Sequence, residues 1–151
     1  MKHTLVFHLI GLSKKFQKVI GLNSKSTPLS YSQAAALLVI DSLPFANQIE
    51  ISRRLHLQPA SVVTLIDELE KLKFVRRKAF PGDRRTYQIL LTDTGKSEAI
   101  LIRKQSLKVE KFVKNQLTDQ QFQLLISIIE KLSQSLDTRG SEIQNQKRKE
   151  V

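Results

Sequence analysis

Basic side chains are concentrated in one short stretch of the chain. Seven lysine and arginine residues lie within positions 71–85, where Asp83 is the single acid, so the local excess is six positive charges. Such a cluster attracts polyanions, and the candidates are nucleic acid, an acidic membrane surface and an acidic protein. The seven residues are Lys71, Lys73, Arg76, Arg77, Lys78, Arg84 and Arg85.

The composition of the whole chain narrows these candidates. Its 151 residues suit one domain or a compact pair of subdomains, and 25 basic against 14 acidic residues give a net charge of +11. No apolar run approaches the roughly 18 residues of a membrane span, and no cleavage site follows the apolar start, so we expect a soluble cytoplasmic protein. The absence of cysteine excludes disulfides, thiolate metal sites and cysteine nucleophiles.

Two helices are predicted immediately before the basic stretch. Asn47, three residues before Glu50, is a typical N-cap for a short helix that ends near His56. Pro59 separates this helix from the next one, because its fixed φ suits the first turn of a helix. Apolar residues recur at helical spacing on both sides of the break and predict one small shared core: Ile51, Leu55, Leu57, Val62, Ile66 and Leu69.

A β-hairpin is predicted within the basic stretch. Extended residues 74–80 lead to Pro81 and Gly82, and residues 86–91 form the return strand. Proline presets φ at the first central turn position and glycine tolerates the positive φ of the second, so the tip lies at 80–83. Two helices followed by a hairpin with a basic tip are typical of a module that reads double-stranded DNA.

Two helices are predicted before this module. Residues 2–22 carry a heptad-like apolar seam, which requires a partner helix along its length. Ser30 stands three residues before Gln33, and this capping-box spacing starts a second, apolar helix that we expect to be buried.

Two further helices are predicted after it. Thr92 caps a long helix that reaches about Leu117, and Thr118 with Gln121 starts a last amphipathic helix. We expect the polar residues 139–151 to be disordered.

The first and last helices display more apolar surface than a small domain made of the central helices and the hairpin can cover. Pairing with a second copy would bury both stripes in one two-fold interface, and the alternative is that these helices fold back onto their own domain. The residues predicted for dimerisation are Leu5, Leu9, Leu12, Phe16, Phe122, Leu125, Ile129 and Leu132.

The order of elements and one motif resemble the MarR family of bacterial winged helix-turn-helix regulators. The motif is Asp83-Arg84-Arg85 followed by Leu90-Leu91-Thr92-Asp93-Thr94-Gly95, with Leu69-Glu70-Lys71 ahead of the hairpin. The resemblance extends over about residues 3–137. It implies a mainly α fold with a small β-hairpin wing, in which a winged helix-turn-helix core is flanked by N- and C-terminal dimerisation helices.

This resemblance also implies domain boundaries and a mode of action. The boundaries are a dimerisation helix at 1–29, a DNA-binding domain at 30–91, dimerisation helices at 92–138 and a tail at 139–151. A homodimer would bind a pseudo-palindromic duplex, with the helix from Pro59 in the major groove and the wing tip in the minor groove. Relatives often release DNA when a small aromatic or phenolic acid binds, and we expect this protein to be a repressor.

The wing is predicted to contact the minor groove. Arg84 or Arg85 can enter that groove, where the focused negative potential favours a cation without base-specific hydrogen bonds. Asp83 either orients one of these arginines through paired hydrogen bonds or merely shapes the turn.

Phosphate contacts are predicted for five flanking residues, which are Arg53, Arg54, Arg76, Arg77 and Lys78.

The predicted recognition helix departs from the family, whose members commonly carry a basic residue in its middle. Here no Arg or Lys lies between Pro59 and Glu70. Guanine is best read by Arg or Lys, so the sequence predicts an AT-rich target, with hydrogen bonds to adenine and methyl contacts to thymine. The predicted reading residues are Gln58, Pro59, Ala60, Ser61 and Thr64, and Val63 is a further candidate for a thymine methyl.

Other functions are disfavoured by the residues present. There is no glycine-rich phosphate loop or HExxH motif, so we predict no enzyme, cofactor or metal site. His3 and His8 are five residues apart, which separates them by more than a helical turn. The aromatic residues mostly fit core positions, which argues against single-stranded RNA. A winged domain that binds an acidic protein partner remains the alternative.

Overall fold

The computed structural model describes residues 4–24, 27–80 and 83–147, which form six helices and one antiparallel hairpin. The predicted mainly α fold with a small β-hairpin is confirmed. The elements are α1 (Leu5–Ile20), α2 (Tyr31–Ser42), α3 (Gln48–Leu55), α4 (Pro59–Lys71), β1 (Val75–Phe80), β2 (Asp83–Leu91), α5 (Asp93–Lys114) and α6 (Asp119–Lys147). None of the described helices has the length and apolar character that a membrane span requires.

Short-range capping fixes where the second and third helices begin. The Ser30 hydroxyl accepts from the Gln33 amide nitrogen at 3.3 Å, and the Gln33 side chain accepts from the Ser30 amide nitrogen at 2.9 Å. Asn47 caps α3 by accepting from the Glu50 amide nitrogen at 2.8 Å. These bonds satisfy amide groups that have no partner inside the helix, which confirms both predicted starts.

One hydrophobic core joins α2, α3, α4 and the hairpin. The six apolar positions predicted to share a core around Pro59 are confirmed as four fully buried and two partly buried residues, the latter being Leu55 and Leu57. Ala46, between α2 and α3, accepts a hydrogen bond from the Ile89 amide at 2.7 Å and so adds a short bridge to β2. The fully buried larger side chains are Leu29, Leu37, Ile51, Val62, Ile66, Leu69, Val75 and Ile89.

The chain divides into two compact units, residues 1–109 and residues 110–151. The second unit contains the end of α5 and the whole of α6. Thr118 and Gln121 form the predicted capping box, with bonds of 2.9 and 3.2 Å between each backbone amide and the other side chain. The ammonium group of Lys114 lies 5.7 Å from the centre of the Phe122 ring.

Helix α6 is longer than the sequence analysis predicted. It continues to Lys147, whereas a disordered tail was expected from residue 139. Residues 139–147 contain no proline, and apart from Gly140 they do not interrupt a helix strongly, so backbone hydrogen bonding can continue past Leu136.

Candidate nucleic-acid interface

The turn between α3 and α4 is built from a residue in the left-handed conformation. His56 has φ 52° and ψ 38°, and its amide nitrogen donates back to the last turn of α3. The Ser52 hydroxyl donates to the Leu57 carbonyl oxygen at 2.6 Å, which ties the turn to α3 from the other side. A non-glycine residue adopts this conformation at some energetic cost.

The buried residues of α4 determine which of its faces is open. Val62, Leu65, Ile66 and Leu69 recur at helical spacing and pack into the core. Pro59 occupies the first turn, and the Gln58 side chain makes no capping hydrogen bond to the helix. The remaining side chains of the first two turns are exposed, and they include all five predicted reading residues, Gln58, Pro59, Ala60, Ser61 and Thr64.

The hairpin β1–β2, called the wing below, is fixed at its base by backbone bonds. Lys73 has φ 61°, and its left-handed conformation turns the chain from α4 into β1. The Phe74 amide donates to the Leu69 carbonyl at 2.9 Å, and the Thr92 amide donates to the Phe74 carbonyl at 3.0 Å. The Thr92 hydroxyl accepts from the Gly95 amide at 3.0 Å, which confirms that Thr92 caps α5.

The pairing of the two strands changes near the tip of the wing. Five successive pairs run from Val75↔Leu91 to Ala79↔Tyr87, and the next pair is Phe80↔Asp83. Residues 84–86 therefore lie between the paired residues Asp83 and Tyr87, so Arg84 and Arg85 stand at an irregularity in the ladder.

The turn at Pro81 and Gly82 lies outside the described residues, and so do the side chains of Asp83, Arg84 and Arg85. The choice between Arg84 and Arg85 for the minor groove, and the two readings of Asp83, stay predictions.

Arg77, which the sequence analysis predicts to contact phosphate, is ion-paired within the protein. Its guanidinium group forms ion pairs with Glu70 and, at 2.5 Å, with Asp67, and its backbone amide donates to the Glu70 carboxylate at 3.1 Å. Partial burial lowers the pKa of Arg77, but the hydrogen bonds with Asp67 and Glu70 outweigh that effect and raise it above its usual value. Arg77 is therefore a permanent cation that pairs with two acids on α4 and joins the wing to that helix.

The other four predicted phosphate contacts are exposed. Arg53 and Arg54, on α3, share Glu50 at 3.7 and 3.3 Å, and their side chains remain 75% and 58% exposed. Arg76 and Lys78 lie on β1 and point away from the core. The exposed pairs with Glu50 are weak, so Arg53 and Arg54 can exchange this carboxylate for a phosphate at little cost.

The sequence analysis did not identify Asp67, Glu68 and Glu70 of α4 as part of the candidate nucleic-acid interface. The Gln33 side chain donates to Glu68 at 2.9 Å, so each of these three acids of α4 is bonded within the protein. The sequence did contain one indication that Arg77 lies on the face of β1 that packs against α4. Val75 is an apolar strand residue, and residues two apart in a strand share a face, which places Arg77 on the side of α4.

Comparisons with known proteins agree with this geometry. The model of the MarR family matches residues 29–87, which include the helix-turn-helix and the strands of the wing. The matched residues are less than half of the 151-residue chain, and over them the chain resembles the MarR family. A curated member, the HTH-type transcriptional regulator SarZ of Staphylococcus haemolyticus, is 28% identical over 95 residues. That match covers 63% of this chain and 65% of SarZ, which is slightly less than two thirds of its length.

Solved structures extend the similarity of fold to most of the chain. A MarR protein from Peptoclostridium difficile superposes with a TM-score of 0.80 at 22% identity, covering 95% of this chain and 94% of the other. MepR of S. aureus in a DNA complex superposes with a TM-score of 0.78 at 18% identity, covering 89% of this chain and 100% of MepR. At these identities the similarity establishes the fold, which is that of the MarR-family transcriptional regulators.

Proposed function

We propose that this protein is a cytoplasmic transcriptional regulator of the MarR family, with no enzymatic activity, that binds double-stranded DNA as a homodimer and represses its target genes. One observation carries the proposal: an exposed and uncharged helix face, residues 58–64, lies beside a basic hairpin whose base is bonded to both neighbouring helices. A rigid base holds the two reading elements in one arrangement, which is what simultaneous contact with two grooves requires. The MepR–DNA complex is a structural neighbour, which supports DNA as the partner.

In this proposal each element has a separate task. Helix α4 enters the major groove and contacts base edges, while Arg84 or Arg85, oriented by Asp83, enters the adjacent minor groove. Phosphates are contacted by Arg53, Arg54, Arg76 and Lys78, which position the protein without reading sequence. The operator is pseudo-palindromic and AT-rich, because α4 offers no basic side chain for guanine.

The salt dependence of binding tests whether duplex DNA is the partner. A dimer that meets six to ten phosphates should lose roughly a thousandfold or more in affinity between 50 and 200 mM salt. Fluorescence anisotropy with a random-sequence duplex measures non-specific binding, and selection of bound genomic fragments then identifies the operator. Failure to bind any duplex at low salt would contradict the proposal, and preferential binding of an acidic protein would favour the alternative function.

The exposed apolar residues of α1 and α6 support the homodimer. No side chain of α1 is buried, and Leu5, Leu9 and Leu12 are 67%, 46% and 47% exposed. In α6, Leu125, Ile129 and Leu132 are 37%, 48% and 43% exposed. Two apolar faces of this size are unusual on a monomer, and association of two copies would bury them.

A small aromatic or phenolic acid is proposed to release the DNA. The hollow between α1 and the start of α2 has a volume of about 260 Å³, which suits a small ring, and it is mainly apolar. Its lining residues are Leu9, Leu12, Ser13, Phe16, Gln17, Ile20 and Tyr31.

The two α4 helices of a dimer must lie one turn of duplex apart, about 34 Å, so a ligand that changes their separation weakens binding. Titration of the protein–DNA complex with salicylate tests this proposal.

A further inference from the structure

The open face of α4 displays an apolar side chain that the core does not use. Val63 is 41% exposed, whereas its neighbour Val62 is fully buried. Valine is a poorer helix former than alanine, so a half-exposed valine in a helix contributes less to folding than a fully buried one. The methyl groups of Val63 are therefore available to a partner of the open face.

The charges around Val63 restrict what that partner can offer. No charged residue lies between Pro59 and Ile66, and the acids that follow are bonded to Arg77 and Gln33. The first two turns of α4 thus present no cation to guanine and no free carboxylate to the amino group of cytosine. The other groups exposed near Val63 are the Ala60 methyl group, the Ser61 hydroxyl and the side-chain amide of Gln58. The Gln58 amide makes no capping hydrogen bond to the helix.

We infer that Val63 is a specificity-determining residue that recognises the 5-methyl group of thymine in the major groove. This inference rests on the proposed function of duplex binding. Thymine is the one base that presents a methyl group in that groove, and its adenine partner presents the donor and acceptor that an amide such as Gln58 can pair with. Val63 lies one turn after Pro59, in the half of α4 that helix-turn-helix proteins direct at base edges.

Replacement of thymine by deoxyuridine tests the inference with one chemical change. Deoxyuridine lacks the 5-methyl group and keeps the charge and base pairing of thymidine. The operator is first selected from genomic DNA, and each thymidine is then replaced singly. We expect about a fourfold weaker binding at one position of each half-site, the equivalent of about 0.8 kcal/mol for one buried methyl group. Replacement at both symmetric positions should weaken binding about fifteenfold.

Variants of Val63 assign the effect to this side chain. Val63→Ala should bind the natural operator about as weakly as wild type binds the doubly replaced one, and it should not distinguish thymidine from deoxyuridine there. Val63→Ile keeps the methyl groups and should retain the distinction. Because Val63 is exposed and neither alanine nor isoleucine is a poorer helix former, both variants should show the wild-type circular dichroism and a melting temperature no lower than that of wild type.

Three results would overturn the inference. If wild-type protein binds every deoxyuridine operator normally, no thymine methyl group is read, although duplex binding itself stands. If Val63→Ala still distinguishes the two bases, a different residue reads the methyl group. If no duplex is bound at low salt, the proposed function fails first and this inference fails with it.

Discussion

Gly95 and Phe74 lie in direct backbone contact, because a Cβ atom at residue 95 would stand 2.0 Å from the Phe74 carbonyl oxygen. The same carbonyl accepts from the Thr92 amide at 3.0 Å. The first turn of α5 is therefore packed onto the chain that enters β1, with no room for a side chain. This contact sets the base of the wing against α5, and it gives a physical reason for a glycine in the Leu-Thr-x-x-Gly part of the motif.

Gly95→Ala should destabilise the protein. The added methyl group meets backbone atoms, which cannot move aside as a flexible side chain can, so we expect the free energy of unfolding to fall by about 2 kcal/mol or more. Urea denaturation followed by circular dichroism measures this change.

Gly11→Ala is the matched control for the Gly95 variant. Gly11 lies inside α1, and a Cβ atom there would meet nothing within 4 Å. Alanine favours a helix over glycine by roughly 0.5–1 kcal/mol, so this variant should be as stable as wild type or more so. Equal losses in the two variants would show that the contact with Phe74 is not the cause.

Arg77→Met should weaken DNA binding even though we assign Arg77 no contact with DNA. The change leaves Asp67 and Glu70 as unpaired negative charges on α4, next to the phosphates of a bound duplex. We expect the Kd for the operator to rise at least about tenfold, the equivalent of about 1.4 kcal/mol. Anisotropy titration at 100 mM salt measures it.

The triple variant Asp67→Asn, Glu70→Gln and Arg77→Met distinguishes this role from phosphate binding. Removing both acids along with the arginine removes the repulsion, so affinity should return to within roughly threefold of wild type. If the triple variant binds as weakly as Arg77→Met, Arg77 contacts phosphate directly, as the sequence analysis first predicted.

Features that depend on a few neighbouring residues were predicted well from the sequence. The caps at Ser30, Asn47 and Thr118 each depend on a partner three residues away, and all three form.

Features that depend on distant residues were predicted less well. The role of Arg77 depends on two acids seven and ten residues earlier in the chain, which become its neighbours only when β1 packs on α4. The change of register between Ala79 and Phe80 depends on how the two strands meet, which no local pattern in the sequence specifies.

The wing arginines should be needed for specific binding and dispensable for assembly. Arg84→Ala combined with Arg85→Ala removes two positive charges from the tip, so binding to the operator should be abolished while the dimer stays intact. Gel shift measures binding, and light scattering after size-exclusion chromatography measures the mass.

The control for the wing variant removes the same charge elsewhere. Lys104 and Lys108 are exposed on α5, and replacing both with alanine changes the net charge equally. That control should reduce affinity by little. Normal operator binding by the Arg84 and Arg85 variant would contradict the assignment of the wing.

Charges introduced into α6 should separate the dimer. Ile129→Glu combined with Leu132→Glu places two carboxylates on each copy of the face that we propose to be buried, and burying unpaired charges costs several kcal/mol. Sedimentation velocity at micromolar concentration should show a monomer. DNA affinity should fall steeply when the dimer dissociates, because each monomer can engage only one half-site.

The control is Ile49→Glu, since Ile49 is 64% exposed on α3 and outside the predicted interface, and this variant should remain a dimer. A dimer that survives the α6 changes would show that another surface holds the two copies together.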